Sequence, residues 1–334
     1  MNDLLDCNLR RLAAYYSLPG VEEVAINQPG EIWVKEMGAS WAVKAAPSLS
    51  EDYLLSLCRQ LANVNGQSFH PQRMPLLYVT LPQGHRFTAV TGATVRYAQG
   101  DSRGIAITVR VFNPDRRIAL DRYGLDADGT LACGPIRQGR QRYGGSPLED
   151  LSIAVQRQEA ILISGATSTG KTTFLNAIVG MLPSDVRVLT VEDARELIVP
   201  QPNRVHLVVS RTESSCGIDF LRVVDAVVRM TPDVILCGEI SIANATGVFR
   251  LMTTGHTNFM ATIHASTPEG ALRAFYQNLA QTNPGIDAAA ATEIIANAFG
   301  RIVQIDRHGP RRVVTAIEIP SLAMAALRPP PPSP

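Results

Sequence analysis

The chain has 334 residues, of which 46% are hydrophobic and 18% charged, and its formal net charge is +1. That length accommodates about two domains of roughly 100–200 residues, and the composition suits a folded, soluble protein with sizeable cores. The neutral balance argues against a dedicated nucleic-acid binder, which carries a basic excess, and Cys7, Cys58, Cys133, Cys216 and Cys237 are scattered without a CxxC pair, which argues against a disulfide framework or a cysteine zinc site.

The N-terminus carries charges within its apolar pattern and has no cleavage-like end, so no signal peptide is expected. No apolar run approaches the roughly 20 residues that span a bilayer. Any membrane contact is expected to be peripheral.

Leu5, Leu9, Leu12 and Tyr16 share one helical face, and Pro19-Gly20 ends that helix. Short strands are expected at 21–26, 32–35 and 41–44. Ser50 can cap a second helix with an apolar face of Leu54, Cys58 and Leu61. Strands return at 76–80, 86–90 and 105–111. In the last, Ile105, Ile107, Val109 and Val111 face one way and Ala106, Thr108 and Arg110 the other. These elements predict an α+β N-terminal domain over residues 1–133, with a short helix at 116–123. Residues 134–146 carry Arg137, Arg140 and Arg142 among glycines and read as a linker. Such a basic run is a solvated connection or a lipid or partner contact.

From Pro147 the pattern alternates between helices and apolar strands. Helices are expected at 148–158, 174–182, 220–230, 243–252 and 269–281, and strands at 160–164, 186–191, 234–237 and 260–264. Such alternation predicts a parallel sheet with right-handed crossovers, so an α/β domain over 147–327. Residues 328–334 are nearly all proline and are expected to be a disordered tail.

Gly165-Ala166-Thr167-Ser168-Thr169-Gly170-Lys171-Thr172 matches GxxxxGK[ST] between an apolar strand and an amphipathic helix, the context a phosphate-binding P-loop requires. The glycines let backbone N–H groups curl around phosphates, and the helix N-terminus adds its dipole. Lys171 is expected to neutralise the β- and γ-phosphates of ATP. Thr172 would offer its hydroxyl to Mg²⁺, and Thr173 can reach a neighbouring phosphate oxygen.

Carboxylates close the neighbouring strands. Glu239 ends 234–237 after Gly238, where an aspartate often stands, and is expected to hold Mg²⁺ through water or to orient the attacking water. Glu192-Asp193 closes 186–191, and Glu192 is a candidate general base because strand carboxyl ends converge on the ligand crevice. Strand 260–263 delivers His264 to the same edge, where a neutral imidazole can sense the γ-phosphate. His256 precedes that strand.

GATSTGKTT, VLTVEDARELIVPQPN, VVRMTPDVILCGEI and TTGHTNFMATIHAST stand in order and resemble the Walker A, Asp box, Walker B and His box of the secretion ATPase superfamily. The match is closest to the Vir-type hexameric traffic ATPases of type IV secretion, and LPQGHRF with the ITVR strand is similar to their N-terminal domain. The resemblance implies a RecA-like P-loop NTPase C-terminal domain and a smaller α+β N-terminal domain. It implies a cytoplasmic homohexameric ring, peripheral at the inner face of the inner membrane and working with other type IV secretion components. Nucleotide would lie between the chain's own two domains. Glu192 would be the catalytic glutamate, Glu239 the Walker B glutamate and His264 the His-box histidine, with Arg86 and Arg110 on the nucleotide. The sequence departs from the family pattern at Ala166 and Ser168, at Ser241, where an arginine is usual, and at Thr257-Asn258-Phe259. A type II secretion or pilus-retraction ATPase is the near alternative, disfavoured by the lack of a four-cysteine module. A RecA-like nucleic-acid translocase is the distant one.

Overall fold

The computed structural model describes residues 3–97, 103–113, 142–209, 219–255, 258–308 and 311–320. The expected helix at 116–123, Arg137, Arg140, His256 and the proline tail lie outside them.

The first half holds α1 (Asp3–Tyr16), β1 (Val21–Ile26), β2 (Gly30–Glu36), β3 (Ala42–Ala46), α2 (Glu51–Val64), β4 (Leu76–Thr80), β5 (Arg86–Arg96) and β6 (Arg103–Arg110). Leu5, Leu9, Leu12 and Tyr16 are buried on α1, as their spacing requires. The Ser50 hydroxyl accepts from the Tyr53 amide, and Glu51 and Asp52 complement the dipole of α2.

The second half holds α3 (Pro147–Gln156), β7 (Ile161–Gly165), α4 (Lys171–Val179), β8 (Val188–Glu192), β9 (Arg204–Val208), α5 (Phe220–Arg229), β10 (Val234–Ile240), α6 (Ala245–Thr253), β11 (Phe259–Ile263), α7 (Pro268–Thr282), α8 (Ala288–Ala298), β12 (Arg301–His308) and β13 (Arg311–Glu318). Strands β12, β7, β11, β10, β8 and β9 run parallel in that order. Both faces are covered, so the strands read as apolar runs rather than alternating ones. Ile161 and Ile163 of β7 enter the core on one face while Leu162 enters that on the other.

Two features were not legible. Helix α8 and strands β9, β12 and β13 complete the second half. The two halves also share one sheet, because Val95 and Arg96 of β5 pair antiparallel with Leu207 and His206 of β9.

Arg187, immediately before β8, locks the halves together. It is fully buried. Its Nη1 donates to Asn27 Oδ1 and Asn203 Oδ1, both at 2.7 Å, and its Nε to the Met230 carbonyl at 3.0 Å. Its guanidinium lies 5.4 Å from the centre of the Trp41 ring. Burial lowers its pKa to about 10, so it stays charged at neutral pH. Thr231 adds a second tie, its hydroxyl donating to Glu23 Oε1 at 2.7 Å.

The end of the expected linker is clamped. Arg142 donates to the Ile317 carbonyl at 2.8 Å, and the Tyr143 amide donates to Asp150 Oδ1 at 2.6 Å. Asp150 also receives a bidentate grip from buried Arg301, at 2.8 and 2.7 Å, which holds its carboxyl below the usual range. Arg142 is therefore bound rather than part of a free basic run.

Replacing Arg301 by Met strands the buried Asp150 carboxylate and should cost roughly 3–5 kcal/mol. Urea unfolding should show Arg301→Met with Asp150→Leu to be less destabilised than Arg301→Met alone. A double variant as unstable as the sum of its parts would contradict this.

Candidate functional site: the phosphate loop and its flanks

Parallel pairing brings the carboxyl ends of β7, β11, β10 and β8 to one sheet edge. The phosphate loop follows β7. A Cβ on Gly165 would clash with the Ile305 carbonyl and the Thr169 hydroxyl, so only glycine fits there. Thr169 is buried and its hydroxyl donates to the Ala166 carbonyl at 2.9 Å. Ala166, Thr167 and Ser168 are exposed. Ser168 and Gly170 both take left-handed backbone, φ 61° and 90°, which curls the loop. Gly170 caps α4 without a side-chain hydrogen bond, leaving the helix N-terminus open to an anion. Thr172 is half-buried and Thr173 exposed in the first turn.

Lys171 is buried, and its Nζ donates to the carbonyls of Gly165 and Ala166, each at 3.0 Å. Burial lowers its pKa, against the opposing pull of the Glu239 charge. The amine lies 3.1 Å from His264 Nδ1, and His264 Nε2 lies 3.0 Å from Glu239 Oε2. An ammonium only donates, so Nδ1 accepts and Nε2–H donates to the carboxylate. One neutral imidazole tautomer therefore links cation to anion.

Local structure fixes that chain. The register between β10 and β11 slips between Cys237 and Ile240, a bulge at Gly238-Glu239 of the kind that re-aims a side chain. The Thr262 hydroxyl donates to the Gly238 carbonyl at 2.6 Å. Buried Asn244 donates to the Glu239 carbonyl at 2.6 Å and accepts from the Ser241 amide at 2.8 Å.

Glu192 is placed differently. It is buried. Its Oε2 accepts from the amides of Glu196 and Leu197, at 2.8 and 2.7 Å, and its Oε1 from the Thr190 hydroxyl at 2.8 Å. Thr190 Oγ1 lies 3.1 Å from Nδ1 of buried His206. Because Thr190 donates to Glu192, His206 Nδ1–H donates to Thr190. The Glu192 carboxylate thus ties β8 to the loop after it, and Gly238 packs against its stem. It neighbours Glu239 but takes no part in the Lys171–His264–Glu239 chain.

The expectation for Arg86 and Arg110 within one chain is corrected. They are cross-strand partners on β5 and β6 and line a hollow of about 590 Å³ with Arg229, Thr231, Arg250 and Thr254. Arg229 and Arg250 lie in the last turns of α5 and α6, and Thr231 and Thr254 just after them, before β10 and β11, so the hollow lies at the amino edge of the parallel strands. The phosphate loop lies at the carboxyl edge. A five-residue strand separates the edges by roughly 17 Å. Arg110 faces Glu23 at 3.7 Å. Nucleotide on this phosphate loop is therefore not sandwiched against this chain's own Arg86 and Arg110.

The family model described as "Type II/IV secretion system protein" matches residues 15–304, and the chain belongs to that family. It is 30% identical over 284 residues to the type IV secretion system protein PtlH homolog of Bordetella bronchiseptica, covering 80% of each chain. It is 27% identical over 289 residues to the type IV secretion system protein VirB11 of Bartonella quintana, covering 80% of this chain and 78% of that one. The fold is similar to the crystal structure of the VirB11 ATPase from the Brucella suis type IV secretion system in complex with sulphate, with a TM-score of 0.79, 23% identity and coverage of 97% of this chain and 99% of that one.

Burial holds the His206 imidazole below its ordinary 6.5, so near that pH the unfolded chain binds more protons than the folded one. Stability present at neutral pH should fall as pH drops below about 6.5. His206→Gln should flatten that dependence in thermal melts between pH 7.5 and 5.5. A wild-type melting point that does not move over this range would count against the buried neutral imidazole.

Proposed function

We propose that this chain hydrolyses Mg-ATP to power substrate translocation or pilus biogenesis by a bacterial type IV secretion system. The observation that carries the reading is the unbroken chain from Lys171 through His264 to Glu239 beside an uncapped helix N-terminus. Family membership and the names of the PtlH and VirB11 relatives supply the setting. The same names favour type IV secretion over the type II or pilus-retraction alternative. The formal net charge of +1 disfavours a nucleic-acid translocase.

In this reading the phosphate loop, Gly165 to Thr173, binds the triphosphate. Lys171 leaves the carbonyls of Gly165 and Ala166 for phosphate oxygens, giving up two neutral acceptors for anionic ones. The Thr172 hydroxyl and Glu239 suit Mg²⁺, a hard cation that prefers oxygen ligands and keeps waters. When bound, the ion neutralises charge on the β- and γ-phosphates. Glu239 is the carboxylate placed to orient the attacking water. Glu192, committed to the Glu196 and Leu197 amides, acts by fixing the edge beside it. His264 registers loss of the terminal phosphate by exchanging partners between it and Glu239.

Residues 1–133 and 147–327 form the two units of the working protomer, and six copies form a ring peripheral to the inner face of the inner membrane. Among the described residues no helix is long and apolar enough to cross a membrane, so attachment is through that surface or other secretion components. Because Arg86 and Arg110 sit at the edge of the sheet opposite the phosphate loop, the nucleotide they serve is that of a neighbouring copy.

Lys171→Ala should abolish phosphate release; normal release would refute the site. Mass measurement with an ATP analogue should give a hexamer. Arg86→Ala with Arg110→Ala should inactivate the ring alone. Mixed with the inactive Lys171→Ala protein, it should regain part of the activity, because each supplies what its neighbour lacks. No recovery in co-assembled rings would exclude action on a neighbour.

A further inference from the structure

The phosphate loop has a second flank that the sequence reading did not reach. Strand β12 pairs with β7 up to Ile305 opposite Gly165. There β7 turns into the loop, while β12 continues to His308 and β13 returns from Arg311. The end of β12 and the start of β13 therefore stand beyond the sheet edge, on the side of the loop. His264, just after β11, and Glu239, on β10, lie on the other side of β7.

Arg312 leans from this hairpin onto the loop. A Cβ on Gly170 would meet Arg312 Cδ at 2.7 Å and Nε at 3.3 Å. The Nε donates to the Ser168 carbonyl at 3.5 Å. Gly170 is needed for its left-handed backbone, φ 90°, and the arginine stem passes directly over it. In register, Arg307 faces Arg312 and His308 faces Arg311.

We infer that Arg312 is a nucleotide-binding residue that grips the end of the nucleotide remote from the reacting phosphate. The inference rests on the proposal that the loop holds a nucleotide, and it follows from the two flanks. With the terminal phosphate at Lys171, His264 and Glu239, the phosphate nearest the nucleoside runs out over the opposite side, where Arg312 crosses Ser168 and Gly170. A guanidinium there serves ATP and ADP alike, because the group it meets is common to both.

The test is displacement of a fluorescent ADP from the full-length protein by ATP and by ADP. Arg312→Met keeps an apolar stem over Gly170 but removes the charge. It should weaken ATP and ADP by the same factor, about tenfold, the scale of one charge-assisted hydrogen bond. Arg312→Lys should recover part of that loss. His264→Ala should instead change the ratio of ATP to ADP affinity. Affinities within twofold of wild type in Arg312→Met would overturn the inference, as would a loss confined to ATP. A lowered melting point in Arg312→Met with no recovery in Arg312→Lys would reduce Arg312 to a support of the loop. Lys171→Ala separates the two claims. If it loses both nucleotides while Arg312→Met does not, only Arg312 is misassigned; if it binds both normally, the nucleotide reading falls as well.

Discussion

Parallel hydrogen-bonding puts the carboxyl ends of neighbouring strands side by side, and the chemistry of this chain hangs on that registry. Strands β7, β11 and β10 deliver Lys171, His264 and Glu239 to one edge from positions far apart in sequence. A one-residue slip would turn each side chain to the other face. The protein uses one such slip deliberately, at Gly238-Glu239, and pins it with Thr262 and Asn244. The result is a direct link from ammonium to carboxylate through a neutral imidazole. That link is self-satisfied without a ligand and has a definite partner to surrender when phosphate arrives.

The two edges of the sheet divide the work. The carboxyl edge carries the phosphate loop with a carboxylate-bearing flank and an arginine-bearing one. The amino edge carries Arg187, which ties Asn27 of the first half to Asn203 of the second, and the hollow of Arg86 and Arg110. A charge buried this completely tolerates little displacement, because any loss of its partners leaves it unsolvated. The contact between the halves is therefore stiff at Arg187. Motion coupled to hydrolysis is easier to place between copies than at this joint, in keeping with the proposal that Arg86 and Arg110 serve a neighbour.

Local signals carried the sequence reading furthest. The phosphate loop is continuous in sequence, and its glycines, its preceding apolar strand and its following helix are all contiguous. Glu239 and His264 were legible because each ends an apolar strand. The missing elements have mixed faces. Strand β9 buries His206 beside apolar neighbours, and β12 buries Arg301 and Gln304, so neither reads as an apolar run. Strand β13 is an edge strand that exposes Val313 and Val314. Helix α8 is rich in alanine, which favours helix but marks no face. With β13 unseen, Arg312 could not be found. Sequence position brings Glu192 to the right edge but cannot show that one of its oxygens accepts from the Glu196 and Leu197 amides and the other from the Thr190 hydroxyl.

The most direct test is a crystal structure of the full-length protein with Mg²⁺ and a non-hydrolysable ATP analogue. Lys171 Nζ should have left the Gly165 and Ala166 carbonyls for phosphate oxygens, with His264 and Glu239 gathered at the terminal phosphate and Glu192 still holding the Glu196 and Leu197 amides. A terminal phosphate out of reach of Glu239, with Glu192 swung free to face it, would contradict the account.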